Sequence, residues 1–212
     1  MQIFPRELNH LPLALALVAG GLGAGVFMLF WVYFTPPNLQ VGYTPKQPID
    51  YSHRLHAGEL GLDCRYCHAQ VERSHEAMVP PTQTCMGCHA IVHTESEKLA
   101  PVRESWETNE SIAWIRVHQL PDHAFFDHSA HLRAGVGCAS CHGRVDQMET
   151  VGVVEPIAMQ WCLECHRNPE QHIRPKSEVT NMKWEADEAW VAQRTDVAAA
   201  LNPPEHCSGC HR

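Results

Sequence analysis

The chain has 212 residues, including ten cysteines and 16 histidines, and its formal net charge at pH 7 is −8. This acidic balance excludes nucleic acid as a partner, because binding phosphates calls for clustered basic residues. The length also leaves no room for a large enzyme core beside the long apolar stretch near its start. We therefore expect one membrane helix and one or two small soluble domains.

The first predicted element is a membrane helix over residues 11–34, which contain no charged residue and are long enough to cross a bilayer with some tilt. A cleaved secretory signal is the alternative, since Arg6 is a basic flank and small residues follow from Ala19. The apolar stretch continues well past those small residues, so we expect an uncleaved signal anchor within residues 1–35. It ends in aromatic residues suited to the membrane interface, namely Trp31, Tyr33 and Phe34.

Within this helix, Gly21 and Gly25 have the GxxxG spacing that allows two membrane helices to approach closely. Glycine is also common in membrane helices that have no such contact. The spacing alone leaves open whether this face packs against the helix of another subunit.

A proline-rich linker is predicted over residues 36–50. Prolines push the residues before them toward extended backbone, which disfavours a helix here. The four prolines of this segment are Pro36, Pro37, Pro45 and Pro48.

All ten cysteines fall into five CxxC pairs, and each pair is followed directly by histidine. CxxCH is the attachment motif of haem c, in which two thiols bind the porphyrin covalently and the histidine binds iron. Zinc sites and disulfides are the alternatives, but neither requires the repeated histidine, and zinc sites built from two pairs would leave one pair over. The sequence therefore predicts five covalently bound haems c. In chain order, the first to fifth motifs contain the attachment cysteines Cys64 and Cys67, Cys85 and Cys88, Cys138 and Cys141, Cys162 and Cys165, and Cys207 and Cys210, with the proximal iron ligands His68, His89, His142, His166 and His211.

These motifs also predict where the protein resides. Haem c is attached on the outer side of the energy-transducing membrane, so the residues after the helix are expected in the periplasm. We expect a single-pass protein of the cytoplasmic membrane, in contact with lipid through its anchor and with its haem domain facing outward.

The soluble part contains an internal repeat of an aromatic-x-His-x-x-His segment followed by two haem motifs. The segment begins at Tyr51 in the first copy and at Phe126 in the second. Each copy is expected to form a two-haem module, the first over residues 51–95 and the second over residues 125–175.

The remaining residues of the soluble part are expected to connect and extend these modules. Residues 96–124 are predicted to bridge them, and Glu95–Val117 has a helical pattern interrupted by Pro101. Residues 176–212 are predicted to contain one helix from Trp184 to Leu201 and then the fifth haem site as a C-terminal appendage.

The paired histidines of the repeat are predicted to be distal iron ligands. In each HxxH pair the two imidazoles lie one helical turn apart, so both bind iron only if the two irons lie on different sides of the segment. These predicted ligands are His53, His56, His128 and His131.

A fifth distal ligand is predicted to be His118, which lies just before the second repeat and could reach a neighbouring haem. His172 is the next alternative. Met148 and Met159 are further alternatives, because a thioether ligand raises the reduction potential of a haem. The other histidines that could serve are His75, His93, His123 and His206.

The aromatic-x-His-x-x-His segments before CxxCH resemble those of the small multihaem cytochromes of the c3 and c7 type. By this resemblance, His53 would bind the haem of His68 and His128 that of His142, while the partners of His56 and His131 stay open. The expected fold is mostly α and irregular. It comprises one N-terminal transmembrane helix and a multihaem cytochrome c domain built from two c3/c7-like two-haem modules and a C-terminal fifth haem.

Longer strings resemble the pentahaem cytochrome subunit of bacterial alternative complex III, a quinol:electron acceptor oxidoreductase. They cover residues 50–89, 114–131 and 159–169. The resemblance implies an electron-transfer subunit of a respiratory or photosynthetic membrane complex. Its partners would be polytopic quinol-binding subunits, an iron–sulfur subunit, and a monohaem cytochrome c or a soluble periplasmic electron acceptor.

Two other classes of protein are alternatives. The membrane-anchored multihaem quinol dehydrogenases of nitrite and nitrate reductase systems also have one helix, but they often carry methionine just after the first CxxCH, where this chain has Ala69 and Gln70. A multihaem enzyme such as nitrite reductase often uses CxxCK at its open haem, and this chain has no CxxCK. We therefore expect electron transfer without catalysis by this chain alone.

Overall fold

The computed structural model describes residues 5–34 and 41–211. The chain divides into two compact units, Met1–Pro37 and Asn38–Arg212. In the first unit, a 3-10 turn at Arg6–His10 leads into helix α1, Leu11–Phe34. By length and composition, Leu8–Phe34 is a candidate membrane span. The prediction of one apolar N-terminal helix is confirmed.

The second unit consists of short helices joined by irregular segments. Among the described residues there is no β-strand, only two isolated bridges, Ala124 with His211 and Val136 with Ile173. The predicted fold class, mostly α and irregular, is confirmed. The helices are α2 Cys64–Cys67, α3 Thr82–His89, α4 Ala100–Thr108, α5 His128–Ala134, α6 Ala139–His142, α7 Met159–Arg167, α8 Glu188–Ala199 and α9 Cys207–Cys210, with a π-helical turn at Arg54–Glu59 and 3-10 turns at Glu97–Leu99, Val145–Gln147, Pro169–Gln171 and Lys176–Glu178.

Aspartate residues begin several of these helices. The Asp127 carboxylate accepts hydrogen bonds from the backbone N–H groups of Ser129 and Ala130 at the start of α5. Asp63 and Asp187 cap α2 and α8 in the same way. Because these caps satisfy N–H groups that have no partner within the helix, they determine where α2, α5 and α8 start.

Three segments differ from their sequence-based expectation or lie outside the described residues. Pro101 lies in the first turn of α4, where its missing N–H costs nothing, so it starts this helix rather than interrupting it. Helix α8 begins at Glu188 rather than Trp184, because Asp187 caps it there. Of the predicted linker, residues 41–50 contain no helix and residues 36–40 lie outside the described part of the chain.

The apolar core that protein side chains form in the second unit is small. No large side chain among the described residues is fully buried. A chain of this length normally buries most of its apolar surface on folding, so a further apolar component is required to complete the core. The buried apolar residues are Ile49, Val71, Val102, Val153, Ile173, Val179 and Ala198.

The two HxxH segments interlock with each other's module. The N–H of Arg54, in the first repeat, donates to the carbonyl of Met148 at 2.9 Å. Reciprocally, the N–H groups of His128 and Ser129 donate to the carbonyls of His75 and Ser74, both at 3.3 Å. Each pair of histidines is thus positioned against backbone that follows the first haem motif of the other module.

Gly58 provides a test of this interlocking. A Cβ at this position would overlap the carbonyl oxygen of Asp146 in the turn Val145–Gln147. We expect Gly58→Ala to destabilise the haem-loaded protein by about 2 kcal/mol through overpacking. Gly87→Ala is the matched control, because Gly87 does not have a positive φ and a Cβ there would meet only the Tyr66 hydroxyl at 3.7 Å, an ordinary contact. Thermal unfolding, followed by circular dichroism, measures the melting temperature of both variants. Equal melting temperatures would contradict the interlocking.

Candidate haem sites

The two HxxH segments have nearly the same three-dimensional arrangement. The Tyr51 ring stacks on His56 at 4.4 Å and lies edge-on to His53 at 4.8 Å. In the second repeat, Phe126 stacks on His131 at 4.4 Å and lies edge-on to His128 at 4.7 Å. The aromatic residue of each repeat therefore orients both imidazoles, which explains why it stands at a fixed distance before them.

Backbone carbonyls orient the second histidine of each pair. The Nδ1 of His56 lies 2.8 Å from the carbonyl of Ser52, and the Nδ1 of His131 lies 2.7 Å from that of Asp127. A hydrogen bond at Nδ1 fixes the ring and leaves Nε2 free for a metal.

Four of the five motif histidines also have a hydrogen bond between Nδ1 and a backbone carbonyl. In each of these four, the Nδ1–H donates to the carbonyl, which orients the ring and makes Nε2 a better ligand. The acceptors are the carbonyls of Met78 for His68 at 2.6 Å, Val92 for His89 at 3.0 Å, Pro204 for His166 at 2.7 Å and His123 for His211 at 3.1 Å.

Three histidines of the HxxH segments lie opposite motif histidines. A metal bound between two imidazole nitrogens separates the ring centroids by roughly 6 Å. The observed pairs are His56 with His89 at 6.2 Å, His128 with His142 at 6.3 Å, and His131 with His166 at 6.1 Å. These residues fit a haem iron held between two imidazoles.

His53, the first histidine of the first repeat, lies among other imidazoles. Burial, with smaller contributions from His68 and His56, lowers its pKa to about 4. Its Nδ1 is buried and has no hydrogen-bond partner. Unpaired buried polar atoms are rare in folded proteins, so an imidazole in this state is consistent with a ligand position.

His142 is the centre of a cluster of histidines. Burial, followed by the neighbouring His118 and His128, lowers its pKa to about 3, which keeps the ring neutral and able to bind a metal. The His118 ring lies edge-on to His142 at 4.4 Å, and its buried Nε2 has no partner. This separation is too short for a metal between these two rings.

Two of the other expected ligands are not placed opposite a motif histidine. His172 follows the turn Pro169–Gln171, and no ring contact joins it to a motif histidine in the described part of the chain. The side chain of Met159, the first residue of α7, is 64% exposed. Met148 contributes its carbonyl to the interlock described above.

One histidine close to a motif histidine was not singled out by the sequence. The ring centroid of His123 lies 5.6 Å from that of His211, with the planes 21° apart. His123 belongs to neither HxxH pair, and 88 residues separate it from His211, so no local pattern could have identified this contact.

The first three motifs lie next to one another. Tyr66, within the first motif, has its hydroxyl 3.7 Å from where a Cβ on Gly87 of the second motif would stand. Burial raises the pKa of the Cys67 thiol, and Cys85 of the second motif raises it further. A side-chain hydrogen bond joins Cys64 to Cys138, which raises the pKa of Cys138 and lowers that of Cys64.

The third, fourth and fifth motifs continue this sequence of neighbours. Burial raises the pKa of Cys141 to about 12, with contributions from Cys165 and Cys162 of the fourth motif. Burial also raises the pKa of Cys162, and Cys210 of the fifth motif raises it further. The ion pair of Arg167 with Glu205 at 3.2 Å joins these last two regions. The five motifs therefore form a row in the order second, first, third, fourth and fifth.

The zinc alternative requires several cysteine or histidine side chains around one point. Across residues 5–34 and 41–211, no three histidine, cysteine, aspartate or glutamate side chains converge to hold a metal ion. No disulfide joins the motif cysteines in this part of the chain. This arrangement suits attachment to porphyrins better than zinc ribbons.

Comparison with known proteins identifies the same chemistry. The family model described as "Cytochrome c7 and related cytochrome c" matches residues 124–212. The chain is also similar to the "Menaquinone reductase, multiheme cytochrome c subunit" of Nitratidesulfovibrio vulgaris, at 32% identity over 123 residues, which are 57% of this chain and 56% of that subunit. The match spans about half the length of that relative. Over residues 124–212, the chain is therefore a c7-like multihaem cytochrome c domain, a domain that transfers electrons.

Proposed function

We propose that this chain is the electron-transfer subunit of a membrane complex that oxidises quinol, and that it carries five haems c. The row of five adjacent CxxCH motifs is the observation that carries this proposal. The similarity to a menaquinone reductase cytochrome subunit and the resemblance to the pentahaem subunit of alternative complex III both support it.

In this proposal, four of the haems are held between two histidines each. The pairs are His53 with His68, His56 with His89, His128 with His142, and His131 with His166. The ring separations of 6.1–6.3 Å support three of these pairs, and the equivalent position of His53 in the repeat supports the fourth. When bound, each haem supplies a one-electron redox centre. One histidine on each side of the iron would leave no open position for a substrate, as expected of a relay.

The row has two ends, at the second and the fifth motif. We propose that these ends face the electron donor and the acceptor, because electron transfer falls steeply with distance and the thiol and ring contacts described above connect each end motif to the next motif in the row. The acceptor would be a monohaem cytochrome c or a soluble periplasmic protein.

The proposed complex also contains the subunits that handle quinol. Oxidising a quinol releases protons, and intramembrane proton transfer relies on ionisable side chains. Helix α1 has no aspartate, glutamate, lysine, arginine or histidine residue. We therefore place the quinol site in a polytopic partner subunit, with an iron–sulfur subunit nearby. Helix α1 acts as the anchor, and the second unit lies on the periplasmic side of the cytoplasmic membrane.

Purification in mild detergent tests this assignment. We expect the complex, identified by mass spectrometry of co-purifying subunits, to oxidise menaquinol. The isolated chain should be reduced by a small artificial donor but should oxidise menaquinol no faster than the uncatalysed reaction.

Rapid, inhibitor-sensitive menaquinol oxidation by the isolated chain would contradict the proposal. It would favour the alternative, a membrane-anchored multihaem quinol dehydrogenase of a nitrite or nitrate reductase system. The haem-loaded chain reduced by the artificial donor is the control that the protein is intact.

A further inference from the structure

Arg174 lies against the backbone that leads into the third motif. Its N–H donates to the carbonyl of Gly135 at 2.8 Å. A Cβ on Gly137 would overlap the Arg174 guanidinium, so the absence of a side chain there allows the close approach. Because Gly137 immediately precedes the attachment cysteine Cys138, the guanidinium lies beside the third attachment site.

Aromatic and backbone groups hold the guanidinium in this position. Its central carbon, Cζ, lies 4.9 Å from the centroid of the Trp184 ring, which is a cation–π contact. Its Nη1 donates to the carbonyl of Asn181 at 3.0 Å. The Trp190 ring lies edge-on to Trp184 at 6.2 Å, and its Nε1–H donates to the carbonyl of Ile173 at 3.2 Å. These contacts fix the positive charge at one place in the second module.

The charge of Arg174 is not neutralised by a carboxylate. In the described part of the chain no ion pair includes Arg174, and its buried Nε has no hydrogen-bond partner. Burial lowers the pKa of this arginine, while Cys138 and Glu178 act in the opposite direction. An arginine stays protonated in such surroundings. By contrast, Arg144, just after the third motif, pairs with Asp146 at 2.7 Å.

We propose that Arg174 raises the reduction potential of the third haem. This inference rests on the proposed five-haem function, because it requires a haem at the third motif. Reduction adds one electron to the haem, so a fixed cation nearby stabilises the reduced form relative to the oxidised form. For a half-buried charge on the order of 10 Å from the iron, the expected preference is about threefold to tenfold. The charge acts on the middle haem of the row, through which electrons pass between the two ends.

Redox titration of the full-length, haem-loaded protein tests this role. In Arg174→Gln, we expect the potential of one haem to fall by roughly 30–60 mV, which is that threefold to tenfold change for one electron. Arg174→Lys keeps the charge but loses the planar guanidinium. It should therefore keep a potential close to that of the wild type while its melting temperature falls. The pyridine haemochrome count should stay at five in both variants.

Two controls make the test specific. Lys176→Gln removes the same charge two residues further along the chain, where the side chain is exposed, and should leave all five potentials unchanged. Adding Arg174→Gln to the variant Cys138→Ala with Cys141→Ala, which lacks the third haem, should shift none of the four remaining potentials.

Three results would overturn the inference. They are unchanged potentials in Arg174→Gln, equal shifts in Arg174→Gln and Arg174→Lys, and a shift that persists without the third haem. Fewer than five haems in the unmodified protein would instead contradict the proposed function, so the two failures are distinguishable.

Discussion

Without attached haem, the second unit should not fold. We expect the full chain, produced without cytochrome c maturation, to lack a cooperative thermal transition and to be digested rapidly up to helix α1. The physical reason is the small core: its buried residues are mostly valine and isoleucine, and no large side chain is fully buried in the described part of the chain. The expected loss is the whole stability of the unit, on the order of 5–15 kcal/mol. Far-ultraviolet circular dichroism and limited proteolysis in detergent measure it.

A variant that loses only one haem provides the control. Cys207→Ala with Cys210→Ala removes one attachment site, at the end of the row, and leaves the four other motifs unchanged. This variant should keep four haems and a cooperative transition at a lower temperature. A cooperative transition in the haem-free chain would show that protein side chains alone make a sufficient core.

Removing the middle haem should interrupt electron transfer along the whole row. We expect Cys138→Ala with Cys141→Ala, studied in the purified complex, to abolish reduction of the acceptor by quinol. Because the third motif lies between the first and the fourth, quinol should still reduce two of the four remaining haems, whichever end of the row receives electrons. Stopped-flow absorbance of the haem bands measures this fraction.

The variant without the fifth haem is again the comparison. If electrons enter at the second motif, all four of its haems should still be reduced by quinol while reduction of the acceptor is lost. If they enter at the fifth motif, quinol should reduce none of them. Complete reduction of the four haems at the wild-type rate in the middle variant would contradict the order of the row.

The CxxCH motifs were recognisable in the sequence because covalent attachment depends on adjacent residues. Two thiols and one imidazole must reach a single porphyrin, so CxxCH is contiguous and can be recognised without a structure. The aromatic residue of each HxxH segment was recognisable for a similar reason, since Tyr51 and Phe126 contact histidines only two and five residues ahead. Helix α1 follows from composition, because a run of 24 residues without charge suits the bilayer.

Local signals were less reliable where two rules compete. Pro101 suggested an interruption, yet proline is also favourable in the first turn of a helix, and the position of α4 relative to Pro101 decides between these effects. The start of α8 depended on which residue caps it, and Asp187 does so through a hydrogen bond to the N–H of Trp190 at 2.7 Å.

The sequence by itself determined a mostly helical fold, an apolar N-terminal helix and five CxxCH motifs, because each of these properties depends on residues close together in the chain. Only the tertiary structure decided which histidines face each other, since His56 faces His89 and His131 faces His166 from positions far apart in the chain. The order of the motifs in the row was decided in the same way. Contacts between distant segments depend on how the modules interlock. The modules interlock through backbone hydrogen bonds, which nearly every residue type can form. Such contacts therefore leave no local pattern in the sequence.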